Sequence, residues 1–284
     1  MEINGLLIAN RGEIAIRIIR AAKDLNLKTV AVFSEDDATS LHIKMADDVR
    51  PLKGRGVPAY MDMDQIIAVA RSTGCNAIHP GYGFLAENTD FARQCREEGI
   101  LFIGPTVENL ALLGDKAKAR TAAVEAGVPV LRGINRPVSL EEAKAFFSSL
   151  GTDSGLMIKA VAGGGGRGSR MVTDMGQIEE AYDRCQIEAE KAFGNKDLYV
   201  EELLRHARHI EVQILGDCHG AITHLGEREC SVQRRHQKLI EVAPAPFISD
   251  SLRLEIIEAA MGFAASIGYT NRYCTVQKQA RPPP

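Results

Sequence analysis

The sequence predicts an α/β protein of two domains, a doubly wound domain over residues 1–112 followed by a domain of α+β type. Short apolar runs alternate with helical patterns in the first of these regions, which is typical of βαβ units and a parallel sheet. The later region instead places strand-like segments beside one another with one long helix between them. The length of 284 residues also exceeds one average domain of roughly 100–200 residues.

Four short apolar runs of the first domain are interpreted as buried strands of its parallel sheet. They are rich in β-branched and aliphatic residues, and each is too short for a helix. Between the first two runs, apolar residues recur at helical spacing, which predicts an amphipathic helix. The strands are predicted at residues 6–9, 29–33, 77–78 and 100–103, and the helix by Ile14, Ile18, Ala21, Ala22 and Leu25.

Capping residues mark the ends of two further helices in this domain. Asp62 precedes an apolar pattern at helical spacing, so its carboxylate is expected to cap the helix that begins there. Asn88 is expected to cap the next helix, and Gly99 to end it. These signals place two more crossover helices between the predicted strands.

The second domain begins with a predicted helix over residues 116–126. Strands are then predicted from Leu156, at 170–172 and at 198–201, with a long helix at 175–193. Alternating strands follow at 210–214 and 221–225, and a last helix at 251–266. The stretch 269–284 is polar and ends in three prolines, so no regular structure is expected there.

Composition excludes several classes of protein. The chain has 34 Lys and Arg against 37 Asp and Glu, a net charge of −3, and no long run of like charge. We therefore expect no bulk attraction to nucleic acid or to an anionic membrane. No apolar stretch reaches the roughly 20 residues of a membrane span. The six cysteines are scattered without zinc spacing, which favours reduced thiols and a cytoplasmic location.

The most prominent motif is a glycine-rich loop, Gly-Gly-Gly-Gly-Arg-Gly at residues 163–168. It satisfies G-x-G-x-x-G, but a dinucleotide site needs a helix after the last glycine, and Ser169 instead opens a strand-like segment. The pattern therefore favours a flap in a hairpin, whose backbone N–H groups close over a polyphosphate. A flexible connector is the alternative. No Gly-Lys-Ser/Thr occurs, which excludes a P-loop.

Lysines and a polar segment surround this loop in the sequence. Lys159 lies on the strand that enters the loop, where its ammonium could reach the same phosphates, and Lys116 begins a helix; either could instead be a solvated surface lysine. Residues 227–238 carry mainly charged and amide side chains, with few apolar residues among them. This composition indicates either a cleft that holds anions or an exposed loop. His79 ends a predicted strand, where open α/β sheets bind ligands, although a turn role is the alternative.

Several stretches together resemble the biotin carboxylase family, the ATP-grasp component of acyl-CoA and pyruvate carboxylases. Their order along the chain is far more specific than any single motif, and the resemblance covers residue 3 to about residue 270. The matching stretches are Ile-Ala-Asn-Arg-Gly-Glu-Ile-Ala at 8–15, His-Pro-Gly-Tyr-Gly-Phe at 79–84, Gly-Asp-Lys at 114–116, Ile-Lys-Ala at 158–160, the glycine loop, and Arg-Arg-His-Gln-Lys at 234–238.

The resemblance implies a Rossmann-like domain over residues 1–112 and an ATP-grasp domain over 113–270, with a lid at about 131–204. In this family bicarbonate attacks the γ-phosphate of ATP to give carboxyphosphate, whose CO2 carboxylates the ureido nitrogen of biotin. Mg²⁺ or Mn²⁺ assists that reaction. The partners would be bicarbonate, biotin or a biotin carrier domain, and a second copy or other carboxylase subunits.

Residue roles are carried over from the family by position. Lys238 would be catalytic, holding bicarbonate or carboxyphosphate, and Tyr82 would lie near biotin. Glu201 and Leu204 would border adenine and ribose, and Gln233 would touch the ribose or nucleotide. The lysines and histidines of the ATP site would contact phosphate. That site would comprise Lys116, Lys159, Gly163, Gly164, Gly165, Gly166, Gly168, Glu201, Leu204, His209, Gln233 and His236.

The C-terminal residues depart from the family pattern. Members continue with a Gly-Thr-(Val/Phe)-Glu-Phe strand whose glutamate binds the metal, whereas the nearest match here places Gln277 at that position. A neutral amide is a poor substitute for a hard anionic oxygen beside Mg²⁺. We therefore expect residues 271–284 to be a divergent tail, the ATP-grasp domain to be C-terminally truncated, and carboxylation to be lost or very weak.

There are three alternatives to the hypothesis of a truncated biotin carboxylase. A non-catalytic chain that binds nucleotide or pairs with a full-length subunit is favoured by Gln277 and the Pro-rich ending. Another ATP-grasp ligase, of the carbamoyl-phosphate or purine type, fits the Arg-Arg-His-Gln-Lys segment less well. A nicotinamide-dependent dehydrogenase fits least, because no helix follows the glycine loop.

Overall fold

The chain folds into two compact units. The first comprises residues 1–111 with 270–272, and the second comprises 112–269 with 273–284. The structure is a computed structural model that describes residues 2–134, 136–151, 154–162, 168–204, 207–217, 219–234, 237–270 and 274–280, the last of these by backbone alone. Among the helices described, none is long and apolar enough to cross a membrane.

The first unit is built on a parallel sheet of five strands in the order β3-β2-β1-β4-β5. The predicted doubly wound fold is therefore confirmed. The strands are β1 (Gly5–Ile8), β2 (Lys28–Phe33), β3 (Asp48–Pro51), β4 (Ala77–His79) and β5 (Leu101–Phe102). The helices are α1 (Gly12–Asp24), α2 (Leu41–Met45), α3 (Val57–Tyr60), α4 (Met63–Thr73) and α5 (Thr89–Glu97), and α6 (Val107–Gly114) spans the boundary to the second unit.

Alternate residues of the central strand enter the two different cores of this unit. Leu7 packs in one core with Val30 and Ile78, whereas Ile8 packs in the other with Ala31. Successive side chains of a strand point to opposite faces, so a strand covered on both sides must be apolar throughout. All four residues of β1 are buried, as that rule requires.

The predicted caps are present in this unit. The carboxylate of Asp62 accepts a hydrogen bond from Gln65 N at 3.0 Å, and the side chain of Asn88 accepts one from Phe91 N at 2.8 Å. Gly99 has a φ of +68°, two residues beyond the end of α5. Each of these residues relieves helix-terminal groups or supplies the left-handed conformation that ends a helix.

The second unit holds two four-stranded sheets, in the orders β6-β9-β7-β8 and β12-β11-β10-β13, and the strand pairs described in both are antiparallel. This agrees with the prediction of an α+β domain. The strands are β6 (Gly133–Ile134), β7 (Gly155–Ala160), β8 (Ser169–Val172), β9 (Leu198–Leu203), β10 (Arg208–Gly216), β11 (Ile222–Arg234), β12 (Gln237–Val242) and β13 (Cys274–Ala280). The helices are α7 (Lys116–Glu125), α8 (Leu140–Ser148), α9 (Ile178–Phe193) and α10 (Asp250–Ser266).

The first of these sheets carries the hairpin that encloses the glycine loop. β7 and β8 are antiparallel neighbours, and Ala160 N donates to Gly168 O at 2.8 Å where the loop closes. Gly168 has a φ of +64°, and a Cβ there would lie 3.0 Å from the Cβ of Ala160, so a larger residue would be strained. The prediction that strands flank the loop is confirmed.

The second sheet packs on α10. Ile210, Val212 and Ile214 of β10 are almost fully buried and form a core with Ile256 and Ala260 of that helix. The polar segment that begins at residue 227 lies largely within β11 and β12, which pair with each other. Most of this segment therefore consists of paired strands, and not of the exposed loop that is one of the two alternatives for residues 227–238.

The C-terminal stretch corrects one prediction. No regular structure was expected after residue 269, but β13 covers Cys274–Ala280 and pairs antiparallel with β10 along its length. The physical reason is that the other edge of β10 offers a row of N–H and C=O groups, which an extended segment can satisfy whatever its polarity. The prolines at 282–284, which suggested irregular structure, fall outside the described residues.

Candidate functional site

A polar cavity of about 310 Å³ lies between the two sheets of the second unit. Most of the ATP-site residues predicted from the family resemblance, and described by the structure, line it. β7 and β9 supply one wall, and β10 and β11 supply the other. The lining residues are Leu131, Met157, Lys159, Glu201, Glu202, Leu203, Leu204, Ala207, His209, Ser231 and Gln233.

Lys159 and Glu201 form an ion pair on the first wall. Their strands are neighbours in the sheet, and the ammonium of Lys159 donates to the carboxylate of Glu201. The two side chains are 26% and 15% exposed, so the pair is largely withdrawn from water. An anionic ligand that enters the cavity therefore meets a lysine whose charge is held in place by a neighbouring carboxylate.

Lys116 stands at the start of α7, close to this pair. Asp115 caps the helix by accepting from Ala117 N at 3.0 Å and Lys118 N at 3.1 Å. Burial lowers the pKa of Lys116, the charge of Lys159 lowers it further, and the charge of Glu201 opposes both. A cation at a helix N-terminus and beside a second lysine is electrostatically unfavourable in isolation. A bound anion would relieve that repulsion.

Lys116 lines a second, larger cavity of about 770 Å³ and is not among the lining residues of the polar one. The walls of the larger cavity are mostly apolar residues from α7, α10 and the connector after α7, and Glu201 and Leu204 face it too. The two cavities therefore share Glu201 and Leu204, the residues predicted to border adenine and ribose. An apolar wall beside a polar one suits a ligand with a flat base at one end and charged groups at the other.

His209 on β10 is held by two contacts from β11. Its backbone N–H donates to Ser231 Oγ at 2.7 Å, and its Nδ1 lies 2.8 Å from Gln233 Nε2. Gln233 Nε2 also donates to the carbonyl of Cys230 at 2.8 Å. The histidine and the glutamine predicted to contact nucleotide thus contact each other.

Lys238 on β12 is paired with Glu211, a fully buried carboxylate on β10. Glu211 also accepts from Arg228 Nε at 2.9 Å, and His209 Nε2 lies 3.8 Å from it. Burial alone would raise the pKa of Glu211, but hydrogen bonds and charges from Lys238 and Arg228 outweigh burial and lower it. Sequence reasoning missed Glu211; its only signal is a charged residue between the apolar positions 210 and 212 of a strand.

The described side chains fit Mg²⁺ poorly. Glu211, Cys230 and Glu241 bring one ligand atom each to within 4.8 Å of one another. Glu211 is already neutralised by two cations, Arg228 Nε lies 3.5 Å from Glu241, and thiolate sulfur is a soft ligand. Gln277 is opposite Glu211 in the pairing of β10 with β13, and its side chain is not described.

Tyr82, predicted to lie near biotin, belongs to the first unit. Its hydroxyl donates to Glu13 Oε1 at 2.5 Å, and the side chain is exposed. The buried amide of Asn10 donates to Pro80 O at 2.7 Å and Tyr82 O at 2.9 Å, which fixes the turn that carries the tyrosine. Asn10 also explains why position 81 is a glycine, because a Cβ at that position would come within 2.7 Å of Asn10 Nδ2.

His79, at the end of β4, also contacts this turn. Its Nδ1 accepts a hydrogen bond from Gly81 N at 3.0 Å. Burial lowers the pKa of His79 to about 4, so the ring is neutral near physiological pH. Gly163, Gly164, Gly165, Gly166 and His236, which were also predicted as ATP-site residues, lie outside the described residues.

Two family profiles match the chain. The profile described as "Biotin carboxylase, N-terminal domain" matches residues 2–110, and that described as "Carbamoyl-phosphate synthase L chain, ATP binding domain" matches residues 115–282. The crystal structure of a biotin carboxylase in complex with β,γ-ATP from Campylobacter jejuni superposes with a TM-score of 0.95 at 41% identity, covering 99% of this chain and 63% of that one. The chain belongs to the biotin carboxylase family.

Further relatives in the family are longer carboxylases. Pyruvate carboxylase of Staphylococcus aureus is 50% identical over 273 residues, and that of Bacillus subtilis is 50% identical over 274 residues. Each alignment covers 95% of this chain but only 24% of the relative, so the chain spans about a quarter of the length of these curated relatives.

A second solved relative is described as a biotin carboxylase domain dimer. It belongs to the 2-oxoglutarate carboxylase of Hydrogenobacter thermophilus, and it holds MgADP, ADP and bicarbonate. It superposes with a TM-score of 0.90 at 41% identity, covering 99% of this chain and 62% of that one. The biotin carboxylase family uses ATP, Mg²⁺ and biotin, and its members are subunits or domains of larger carboxylases.

Proposed function

We propose that this chain binds ATP with its phosphates in the polar cavity of the second unit and catalyses the ATP-dependent carboxylation of biotin by bicarbonate. The observation that supports it most directly is the meeting of Lys159, Glu201, His209 and Gln233 around one cavity. These residues come from four different strands, and a shared cavity is not explained by solvated surface positions. Membership of the biotin carboxylase family supplies the reaction class.

The proposed roles follow from charge and position. Lys116 and Lys159 bind phosphate oxygens, because two ammonium groups at close range are stabilised by a shared anion. Glu201 and Leu204, which line both cavities, contact the nucleoside. Lys238, whose ammonium is oriented by a buried carboxylate, binds bicarbonate or carboxyphosphate.

The proposed reaction proceeds in three steps. A bicarbonate oxygen attacks the γ-phosphorus, the bond to the β-bridging oxygen breaks, and ADP leaves with carboxyphosphate formed. Carboxyphosphate then divides into CO2 and phosphate. The ureido nitrogen of biotin gives its proton to the released phosphate and attacks CO2 to give carboxybiotin. Fixed cations stabilise the charge that develops on the transferred phosphoryl oxygens.

The proposal is tested with the full chain. Calorimetry should detect ATP binding that Lys159→Gln weakens and Lys191→Gln, at an exposed position of α9, leaves unchanged. Phosphate release should require bicarbonate and rise with free biotin, and Lys238→Gln should abolish the bicarbonate-dependent part. A chain that fails to bind ATP, or that releases phosphate equally without bicarbonate, would contradict it.

A second candidate, nucleotide binding without turnover, is favoured by one observation. Gln277 is opposite Glu211 in the pairing of β10 with β13, and the family resemblance assigns it the position of a metal-binding glutamate, where a neutral amide would replace a carboxylate. If this candidate is right, the chain binds ATP but releases no bicarbonate-dependent phosphate. Wild-type binding together with absent turnover would separate it from the first.

The proposed partners are those that the family chemistry requires. Bicarbonate and biotin, free or on a carrier domain, are the substrates, and a second copy or another carboxylase subunit is the protein partner. The solved relative from Hydrogenobacter is described as a dimer, which supports association with a second copy of the chain. We also propose a cytoplasmic location, in keeping with the four buried free thiols that the structure describes. Light scattering of the purified chain tests its association with a second copy, and cell fractionation tests its location.

A further inference from the structure

The side-chain amide of Gln233 makes two hydrogen bonds through one nitrogen. Gln233 Nε2 lies 2.8 Å from the carbonyl oxygen of Cys230 and 2.8 Å from Nδ1 of His209. The amide nitrogen carries two hydrogens and no acceptor lone pair, so each hydrogen has one partner. Both contacts come from the same end of the amide, which leaves only its oxygen for any other interaction.

The carbonyl of Cys230 decides which end of the amide faces the histidine. A backbone carbonyl only accepts hydrogen bonds, so the atom beside it must be the NH2 group and not the amide oxygen. The other hydrogen of that NH2 group therefore points at His209 Nδ1. A ring nitrogen that accepts a hydrogen bond carries no proton, so the single ring proton of His209 is on Nε2.

The position of the ring is fixed independently by its own backbone. His209 N donates to Ser231 Oγ at 2.7 Å, and Ser231 in turn donates to Glu229, a carboxylate paired with Arg208 Nε at 2.9 Å. The ring is only 20% exposed and lines the polar cavity. β11 thus contacts His209 twice. Ser231 holds its backbone, and Gln233 determines which ring nitrogen carries the proton.

We propose that Gln233 is a positioning residue, which holds His209 as the neutral tautomer with its proton on Nε2. In that state the ring is an uncharged hydrogen-bond donor, so the positive charge that attracts an anion to the polar cavity comes from Lys159. Gln233 then acts on the ligand mainly through His209 and not as a donor of its own. The inference that this ligand is ATP rests on the proposed function; the state of the ring does not.

The ring state is measured by nitrogen NMR on the full chain labelled with ¹⁵N-histidine. At a pH of about 8, where an ordinary imidazole is neutral, a protonated ring nitrogen and an acceptor nitrogen have well-separated shifts. His209→Gln identifies the His209 signals among those of the seven histidines. We expect Nδ1 of His209 to show the acceptor shift and Nε2 the protonated shift.

Gln233→Glu is the decisive variant, because it keeps the shape of the side chain but removes both donor hydrogens. A carboxylate accepts only, so the proton of His209 should move to Nδ1 or a second proton should bind there. Gln237→Glu, an exposed neighbour on β12, adds the same charge and should leave the His209 signals unchanged. A proton that stays on Nε2 alone in Gln233→Glu, or that is on Nδ1 in the wild type, would overturn the proposal.

Gln233→Met covers the case in which the glutamate variant fails to fold. It keeps the length of the side chain and offers no hydrogen, so the two tautomers of His209 should exchange and their shifts move toward an average. Persistence of the wild-type shifts would sink the proposal as well. A structural role alone would change stability without changing which ring nitrogen is protonated.

A binding measurement connects the ring state to the ligand. Gln233→Glu should lower the affinity for ATP by roughly tenfold or more, since a carboxylate is added to the wall of the polar cavity and repels the phosphates. If the wild type binds no ATP, the proposed function fails while the NMR result still decides the role of Gln233. If ATP binds and the ring state does not respond to the variant, only the role of Gln233 fails.

Discussion

Replacement of Lys159 by methionine isolates the contribution of one ammonium to nucleotide binding. The side chain keeps its length and apolar stem, so the main loss is one charge at the polar cavity. A hydrogen bond between charged groups contributes about 1.5–3 kcal/mol, which corresponds to a loss of about tenfold to a hundredfold in ATP affinity. We expect Lys159→Met to fall in that range.

Glu201 makes the magnitude more informative than a single variant would. The side chain of Glu201 is 15% exposed in the wild type, and in Lys159→Met its carboxylate loses the ammonium that donates to it. Its negative charge then repels the phosphates, and it is also left partly desolvated, which should lower the free energy of unfolding by about 1–3 kcal/mol. Glu201→Gln removes this repulsion, so the double variant should bind ATP more tightly than Lys159→Met alone.

The assay is a double-mutant cycle by calorimetry, with urea unfolding on the same four proteins. Coupled neighbours in contact show interaction energies of about 0.5–3 kcal/mol. Lys144→Met provides the matched control, because Lys144 pairs with Glu179 at 3.0 Å on an exposed surface of the same unit. An ATP affinity for Lys159→Met within twofold of wild type, or strictly additive effects in the cycle, would refute the reasoning.

Three further predictions concern other parts of the chain. Asn10→Ala removes two hydrogen bonds to the turn that carries Tyr82, and it should lower the free energy of unfolding by about 2–3 kcal/mol in urea; unchanged stability would contradict the buried contacts. Burial and then the charge of Lys159 lower the pKa of Lys116, so ATP affinity should fall as pH rises through that lowered pKa, and Lys116→Met should abolish this part of the pH dependence measured by calorimetry. Gln277→Glu should increase the gain in ATP affinity that Mg²⁺ produces, and an equal gain in both proteins would show that this position does not face the metal.

The fold was predictable where local signals and packing agree. Runs of apolar residues in β1 and β2 are buried on both faces, and Asp62 and Asn88 cap their helices by the side-chain contacts expected of those residues. β13 was missed because its residues carry no strong strand signal; it forms because β10 has an edge to pair. That information lies in the partner strand and not in the segment itself.

The candidate site was predictable only in part. Lys159 could be singled out by its distance along the chain from the glycine loop, and its strand does line the cavity. The pairing of Glu211 with Lys238 joins residues 27 positions apart, and that of Gln233 with His209 joins residues 24 apart. Such pairs depend on the register between strands, which hydrophobic pattern alone does not specify at residue resolution.

The central position of β10 restricts how this protein can change. The strand alternates chemistry with packing: His209 and Glu211 lie on one side, while Ile210 and Val212 support α10 on the other. Substitutions on the polar side can therefore alter ligand preference while leaving the apolar contacts intact. A one-residue insertion or deletion in β10 would exchange the two sides, put charge against a helix and turn aliphatic groups toward the ligand. New specificities should arise here by point replacement, whereas length variation in this strand should be selected against.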